Sequence, residues 1–344
     1  FTMKAKALPL VLLLFTGPVK AEPAADFYKG KTMTLVIGMA PPDQHDNDGR
    51  TLARHIGKYI PGNPNIVIQN MPGAGALKAA QYLAHIAPRD GLTFALLQRG
   101  VYMMPLLGYP DATYDPLKFS FIGSRSPETS ITVVWHQARV KNMQQAMQEE
   151  VVLASAGGGG DGNVLPFLYN ETLGTKFKVI GGYPGGGEMN LAVERREVDG
   201  RGGWSMGAMR GTHEDWYQEK KVTILLQHGL RKHSEIPDVP LAQDMAKNED
   251  DRSLIELFGK QQGIGFAFVA PADVPADRLK ALREAFAKTM LDPAYLAEAS
   301  NMKADVNPLS AAQMEALVRD IYATPRAIVD RAKRILIANG AKLN

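Results

Sequence analysis

Two consecutive strand–loop–helix units with glycine-rich loops lie between residues 151 and 188, and they constrain the fold more than any other stretch. An apolar strand pattern at 151–153 leads into a loop with five glycines and then into a helical pattern. A second strand pattern, 177–180, leads into another glycine loop and another helix. Consecutive units of this kind place both loops at one edge of a parallel sheet. Bare amides at helix N-termini make such an edge an anion site.

The two loops therefore supply the first candidate ligand contacts, and the alternative is that the glycines serve only tight turning. These candidates are Ser155, Gly157, Gly158, Gly159, Gly160, Asp161, Asn163, Tyr183 and Gly185. We expect these loops to hold a small acid between two lobes, and we expect no cofactor.

Length and composition indicate a soluble protein of two domains. The chain has 344 residues with 45% hydrophobic and 22% charged residues, which is more than one ordinary core accommodates. The net charge of +3 slightly favours small acidic ligands, and no basic tract predicts nucleic-acid binding. The chain has no cysteine, so disulfides, thiolate catalysis and Cys-ligated metals are excluded.

Residues 1–21 have the pattern of a secretory signal peptide. Lys4 and Lys6 precede a short apolar run, 7–15, and Val19-Lys20-Ala21 resembles a small-residue cleavage site. The run is too short to span a membrane. Export without disulfides predicts a periplasmic protein.

The order of patterns predicts two α/β lobes joined by two crossings. Strand and helix patterns alternate as βαβαβ up to residue 97. Two strand patterns between 119 and 135 then follow each other without a helix, which predicts a crossing into a second lobe. A turn-rich stretch at 229–240 predicts the return. We expect lobe I at 22–125 and 230–344, lobe II at 126–229, and a monomer with its ligand in the cleft.

Several helix boundaries are predicted from local signals. Asp46 or Asp48 is expected to cap the helix after the first strand, and Pro275 is expected at a first helical position. Ser310 and Gln313 have the spacing of a capping box. Pro325 is expected to kink a single last helix.

Two catalytic or cofactor motifs occur and are weighed against simpler readings. Gly157-x-Gly159-x-x-Gly162 matches a dinucleotide fingerprint, but no acid ends the next strand, so NAD is rejected. Residues 203–207 match G-x-S-x-G, but no histidine follows where a hydrolase needs it. We expect Ser205 and Trp204 to contact ligand, with inter-strand packing the alternative for Trp204. No metal motif is present, and no metal is predicted.

Two arginines follow or lie within predicted strands. Arg99 and Arg201 each have the chemistry to clamp a carboxylate through two hydrogen bonds. Ordinary exposed surface arginine is the alternative for both.

Five stretches of the sequence are typical of a known family: FYKGKTMTLVIGMAPP, QNMPGAGALKAA, APRDG, GYPGGGEMNLAVERREVDG and VAPADVPADRLKALREAFAKTMLDP. Over about 27–335 the chain resembles the solute-binding receptors of tripartite tricarboxylate transporters, the TctC or Bug family. It implies a type II periplasmic binding fold and capture of carboxylates by backbone amides of both lobes. It also implies handover of the ligand to a membrane permease. Asp199 resembles an acid of the family. The two alternatives for its role are contact with the ligand and a purely structural role.

The loop after the first strand departs from the family pattern. Glycines are expected where Pro42, Asp43 and Gln44 stand, although Asp46 matches the family's acid. Proline removes an amide donor, and Asp43 adds negative charge near the expected anion site. Either the ligand is not a simple dicarboxylate or lobe I binds it differently. The candidate contacts from this lobe are Ala40, Pro41, Asp43, Gln44, His45, Asp46 and Arg99, with His45 as an exposed loop residue the alternative.

Three functions are compatible with these patterns. The favoured one is a periplasmic receptor, without enzymatic activity, that captures a small organic acid for a tripartite permease. An exported hydrolase that uses Ser205 is the second, and a receptor that feeds a membrane sensor is the third.

Overall fold

The computed structural model describes residues 23–41, 44–156 and 160–343. The predicted signal peptide, Asp43 and Gly157 to Gly159 lie outside the described residues. The strands are β1 Thr32–Ile37, β2 Asn65–Asn70, β3 Thr93–Leu96, β4 Ser120–Ser124, β5 Ser130–Trp135, β6 Val151–Ala154, β7 Phe177–Ile180, β8 Gly200–Ser205, β9 Val222–His228, β10 Ala267–Ala270 and β11 Leu309–Ser310.

Helices connect most of these strands. They are α1 Ala24–Tyr28, α2 Gln44–Ile56, α3 Leu77–His85, α4 Met104–Leu107, α5 Met143–Ala146, α6 Asp161–Leu173, α7 Gly186–Glu194, α8 Met206–Gln218, α9 Glu249–Ile264, α10 Ala276–Thr289, α11 Pro293–Asn301, α12 Ala311–Tyr322 and α13 Arg326–Ala338. Short 3₁₀ turns occur at Gly57–Tyr59, Ala74–Ala76, Arg99–Tyr102, Pro116–Lys118 and Ala242–Met245.

The strands form two mixed sheets, in each of which an antiparallel strand is inserted among parallel ones; in the first sheet the edge strand β11 also runs antiparallel to its neighbour β4. The first has the order β11-β4-β10-β3-β1-β2, and the second has the order β7-β6-β8-β5-β9. β10 runs antiparallel to β3 and β4, and β5 runs antiparallel to β8 and β9. We call the six-stranded sheet with its helices lobe I and the five-stranded sheet with its helices lobe II. The predicted two-lobe α/β architecture is confirmed.

The chain crosses between the two sheets twice. β4 belongs to lobe I and β5 to lobe II, with only residues 125–129 between them. After β9 the chain returns to lobe I as β10. β5 is the first strand after the first crossing and β10 is the first strand after the second. Each of them pairs with strands of the lobe that the chain has entered.

The apolar core is continuous between the two lobes. The largest buried cluster contains Leu97 of lobe I, Leu165 of lobe II, and Leu257 and Leu336 of helices α9 and α13. Separate clusters fill the other face of each sheet, one around Leu35 and one around Trp204. None of the described helices has the length and apolar character needed to cross a bilayer.

Some local predictions need correction. Pro325 does not kink one long helix; it precedes α13, which is separate from α12. Proline has no amide N–H to donate inside a helix, so the helix is interrupted there. Pro275 stands one residue before α10. Asp46 and Asp48 lie inside α2, which begins at Gln44, so neither caps it. The capping box of Ser310 and Gln313 is present as predicted.

Candidate functional site

The two glycine loops of lobe II arise side by side. β6 and β7 are adjacent and parallel, so the residues after Ala154 and after Ile180 lie at the same edge of the sheet. The amide of Ser155 donates to the carbonyl of Ile180 at 2.9 Å, and the amide of Tyr183 donates to the carbonyl of Ser155 at 3.4 Å. The loops are therefore hydrogen-bonded to each other where α6 and α7 begin.

An acidic residue of the chain stands in the first turn of α6. Asp161, its first residue, accepts hydrogen bonds from Arg99 Nη2 at 2.5 Å and from Gln262 Nε2 at 2.9 Å. Burial disfavours the charged carboxylate, but Arg99 outweighs it and holds the pKa of Asp161 below its ordinary value. Arg99 and Asp161 thus neutralise each other across the two lobes.

The predicted contacts of the β1 loop divide into exposed and buried residues. Ala40 and Pro41 are exposed directly after β1, and Gln44 begins α2. His45 is buried with its ring 5.1 Å from that of Phe266. The Asp46 carboxylate accepts from Asn70 at 2.7 Å and from Arg50 at 2.9 Å. These bonds tie the start of α2 to the end of β2.

A left-handed turn follows β2 in lobe I. Ala74, Gly75 and Ala76 have φ values of 47°, 64° and 72°, which two alanines adopt only at a cost of about 1–2 kcal/mol each. Gly38 makes room for this turn, since a Cβ on Gly38 would lie 2.4 Å from the Ala76 Cβ. Strained segments that are held in place by packing occur most often at binding sites. This segment belongs to the QNMPGAGALKAA motif.

The two lobes face each other at the N-termini of α2 and α8. The side-chain amide nitrogen of Gln44 lies 3.7 Å from the position of a Cβ on Gly207. Ser205 precedes α8, and its hydroxyl accepts from the Ala208 amide at 3.0 Å. Ser205 is therefore a helix cap at the edge of the gap between the lobes.

Arg201 and Trp204 lie on one face of β8 because of a bulge. The pairing with β5 shifts between Ile131 and Val133, and Gly203 there has a φ of 63°. The extra residue brings the Arg201 guanidinium to 4.4 Å from the centre of a Trp204 ring. Both side chains are buried under α7 and α8.

The structure brings most of the predicted residues to one region. Those at the facing strand ends are Ala40, Pro41, Gln44, Arg99, Ser155, Gly160, Asp161, Asn163, Tyr183, Gly185, Trp204 and Ser205. Asp43, Gly157, Gly158 and Gly159 cannot be placed, because they lie outside the described residues. Asp199 stands at the other end of β8, where its carboxylate accepts from the Val152 amide at 2.8 Å. Its position indicates a structural role.

Two polar residues near the site carry no sequence signal of their own. Gln262 at the end of α9 and Asn190 in α7 hydrogen-bond Asp161 and Arg201 respectively. Arg201 does have a signal, because a charged residue flanked by glycines interrupts a strand that is otherwise buried. Within the described part of the chain, no group of three His, Asp or Glu side chains could hold a metal.

Two α/β lobes, each with an antiparallel strand inserted and helix N-termini facing the gap between them, define a two-lobe binding protein. The model of the tripartite tricarboxylate transporter family receptor, TctC, matches residues 50–333. The chain belongs to this family. A curated relative from Cupriavidus necator, described as a UPF0065 protein in gbd 5′region, is 25% identical over 96% of both chains.

Solved structures agree with this fold. A TctC solute binding protein from Polaromonas superimposes with a TM-score of 0.67 at 16% identity, over 90% of this chain and 99% of the other. MatC of Rhodopseudomonas palustris with bound malate has a TM-score of 0.61 at 18% identity, over 89% and 99%. Rpa4515 of R. palustris with adipate has a TM-score of 0.62 at 17% identity, over 90% and 97%.

Proposed function

We propose that this chain is a periplasmic receptor that closes its two lobes on a small carboxylated molecule and delivers it to a tripartite tricarboxylate-type permease. The lobes proposed are 22–125 with 230–344, and 126–229. The predicted signal sequence at 1–21 and the family's periplasmic location support export. The receptor is proposed to act as a monomer without cofactor or enzymatic activity.

One observation carries the proposal: helices from both lobes begin at the gap between them. α2 of lobe I and α6, α7 and α8 of lobe II all start there, and Gln44 approaches Gly207 across it. Helix N-termini present amide donors and partial positive charge, so their convergence favours an anionic guest. Malate and adipate in the two structural neighbours are small dicarboxylates, which supports an organic acid as ligand.

Titration calorimetry with succinate, malate and adipate tests the receptor, with the neutral diamide of each acid as the matched control. We expect 1:1 binding of at least one acid and none of its diamide, because the amide donors of the site need negatively charged acceptors. If no acid of the panel binds, or if diamides bind equally well, the proposal is wrong.

The permease is tested separately by uptake. Proteoliposomes that contain the two permease subunits of a tripartite transporter should accumulate the bound acid only when the receptor is added. Uptake that does not depend on the receptor, despite confirmed binding, would instead favour a receptor that feeds a sensor.

The hydrolase alternative has less support from the site. The Ser205 hydroxyl is engaged as the cap of α8, and the ring nitrogens of His213 hydrogen-bond Asn190 and Thr212. A serine nucleophile requires a general base, usually histidine, within hydrogen-bond reach. We therefore propose binding without chemistry, and ester hydrolysis that disappears in Ser205→Ala would contradict this.

A further inference from the structure

Arg201 is a buried cation without a carboxylate among the described residues. Its side chain is 7% exposed, and its Nη1 donates to the Asn190 side-chain oxygen at 2.7 Å. Its Nε is buried and has no hydrogen-bond partner in the described part of the chain. The Trp204 ring supplies a cation–π contact, but a ring face does not neutralise a charge.

The other deeply buried arginines show what Arg201 lacks. Arg99 pairs with Asp161 at 2.5 Å, and Arg125 pairs with Asp48 at 3.2 Å. Buried charges in proteins are normally paired in this way, because desolvation without a partner is costly. Consistent with its unpaired burial, the pKa of Arg201 is lowered to about 10.

The position of Arg201 adds a second positive feature. Its Nη1 lies 3.6 Å from the position of a Cβ on Gly186, the first residue of α7. The N-terminus of α7 carries unsatisfied amide donors and partial positive charge, and its cap residue Gly185 makes no side-chain cap. The exposed Glu188 carboxylate lies near Gly185 and forms no ion pair with Arg201.

The geometry points to one carboxylate of the ligand that is held jointly by Arg201 and the first-turn amides of α7. This assignment rests on the proposed function and makes Arg201 the residue that selects an ionised acid over a neutral analogue. Gly186 is exposed and has no side chain, so the guanidinium lies beside bare backbone at the start of α7. The α6 loop differs, because the acid in its first turn, Asp161, is already paired with a buried arginine, Arg99.

Arg201→Met tests the assignment, because methionine fills much of the volume and removes the charge. We expect malate or adipate, whichever the wild type binds, to bind at least about 30-fold more weakly, as for removal of one member of a buried charge pair. We also expect the ligand-free variant to unfold at the same or a higher temperature, since an uncompensated buried cation destabilises the unliganded fold. A merely structural arginine would give the opposite shift.

Two further variants complete the experiment. Arg195→Met changes an exposed arginine at the end of the same helix and should leave affinity and unfolding temperature unchanged. Arg201→Lys keeps the charge and should bind more tightly than Arg201→Met.

The outcomes separate this inference from the proposed function. If the wild type binds no acid, the proposed function fails and the inference fails with it. If the wild type binds and Arg201→Met binds within threefold of it, only the inference is wrong. An Arg201→Met chain that is less stable or does not fold also overturns the inference, because the charge would then support the fold.

Discussion

Arg99 of lobe I and Asp161 of lobe II form a buried ion pair that joins the two lobes, with 2.5 Å between Nη2 and Oδ2. Gln262 donates to the same carboxylate oxygen from the end of α9. The chain therefore places its own anion at one of the two glycine loops. The buried charge that remains uncompensated is that of Arg201, which lies beside the other loop.

Asp161→Asn should lower the free energy of unfolding by about 3–5 kcal/mol, because Arg99 would remain buried without its partner. Urea denaturation followed by circular dichroism measures this value. The double variant Arg99→Met/Asp161→Leu removes both charges and should recover most of the loss. A double variant as unstable as the single one would show that shape, and not charge, matters at this position.

His228 predicts a pH dependence of stability. Burial lowers its pKa to about 4; Asp161 opposes the shift and Arg99 supports it. In the unfolded chain its pKa is about 6.5. Between these values the unfolded state binds the extra proton, so stability falls as the pH falls from about 6.5 to about 4. The shift corresponds to a loss of roughly 3 kcal/mol at most in the free energy of unfolding.

Comparison with His228→Gln isolates this contribution from the carboxylates. Urea unfolding at several pH values between 4 and 7.5 should show a smaller loss of stability in the variant on acidification. Parallel pH profiles for the two proteins would exclude His228 as the cause.

Gly203→Ala should destabilise lobe II by about 2 kcal/mol or more. The φ of Gly203 is 63°, and an added Cβ would lie 2.2 Å from the Gly162 amide nitrogen and 2.3 Å from the Asp161 carbonyl carbon. Gly187→Ala is the control, because nothing lies within 4 Å of its Cβ position. Thermal unfolding should place the control within about 1 kcal/mol of the wild type.

The same bulge shows where prediction from sequence stops. The apolar runs predict β6, because burial on both faces dictates such a run. They also predict β7, of which only Phe177 is fully buried. The two lobes follow from the missing helix between β4 and β5. A pattern of alternation, however, places Arg201 and Trp204 on opposite faces, and only the inserted residue at the Gly203 bulge brings them together.

Contacts between the lobes were not predictable for a related reason. Arg99 and Asp161 are 62 residues apart, and their pairing depends on how two separately folded sheets are placed. Local spacing contains no information on that placement. The predicted anion edge follows from the order of elements alone, whereas its distribution of charge depends on side chains from α9, from β8 and from the 3₁₀ turn after β3.

Ser205→Ala separates the structural role of this hydroxyl from a catalytic one. The variant loses the cap of the 13-residue helix α8, so the free energy of unfolding should fall by about 1 kcal/mol. Ser253→Ala in the interior of α9 is the matched control and should be neutral or slightly stabilising, because alanine is the better helix former. Urea denaturation compares the three proteins, and p-nitrophenyl acetate hydrolysis is measured on the same samples. Equal background hydrolysis in all three, together with a loss of stability only in Ser205→Ala, is the result expected of a helix cap in a receptor.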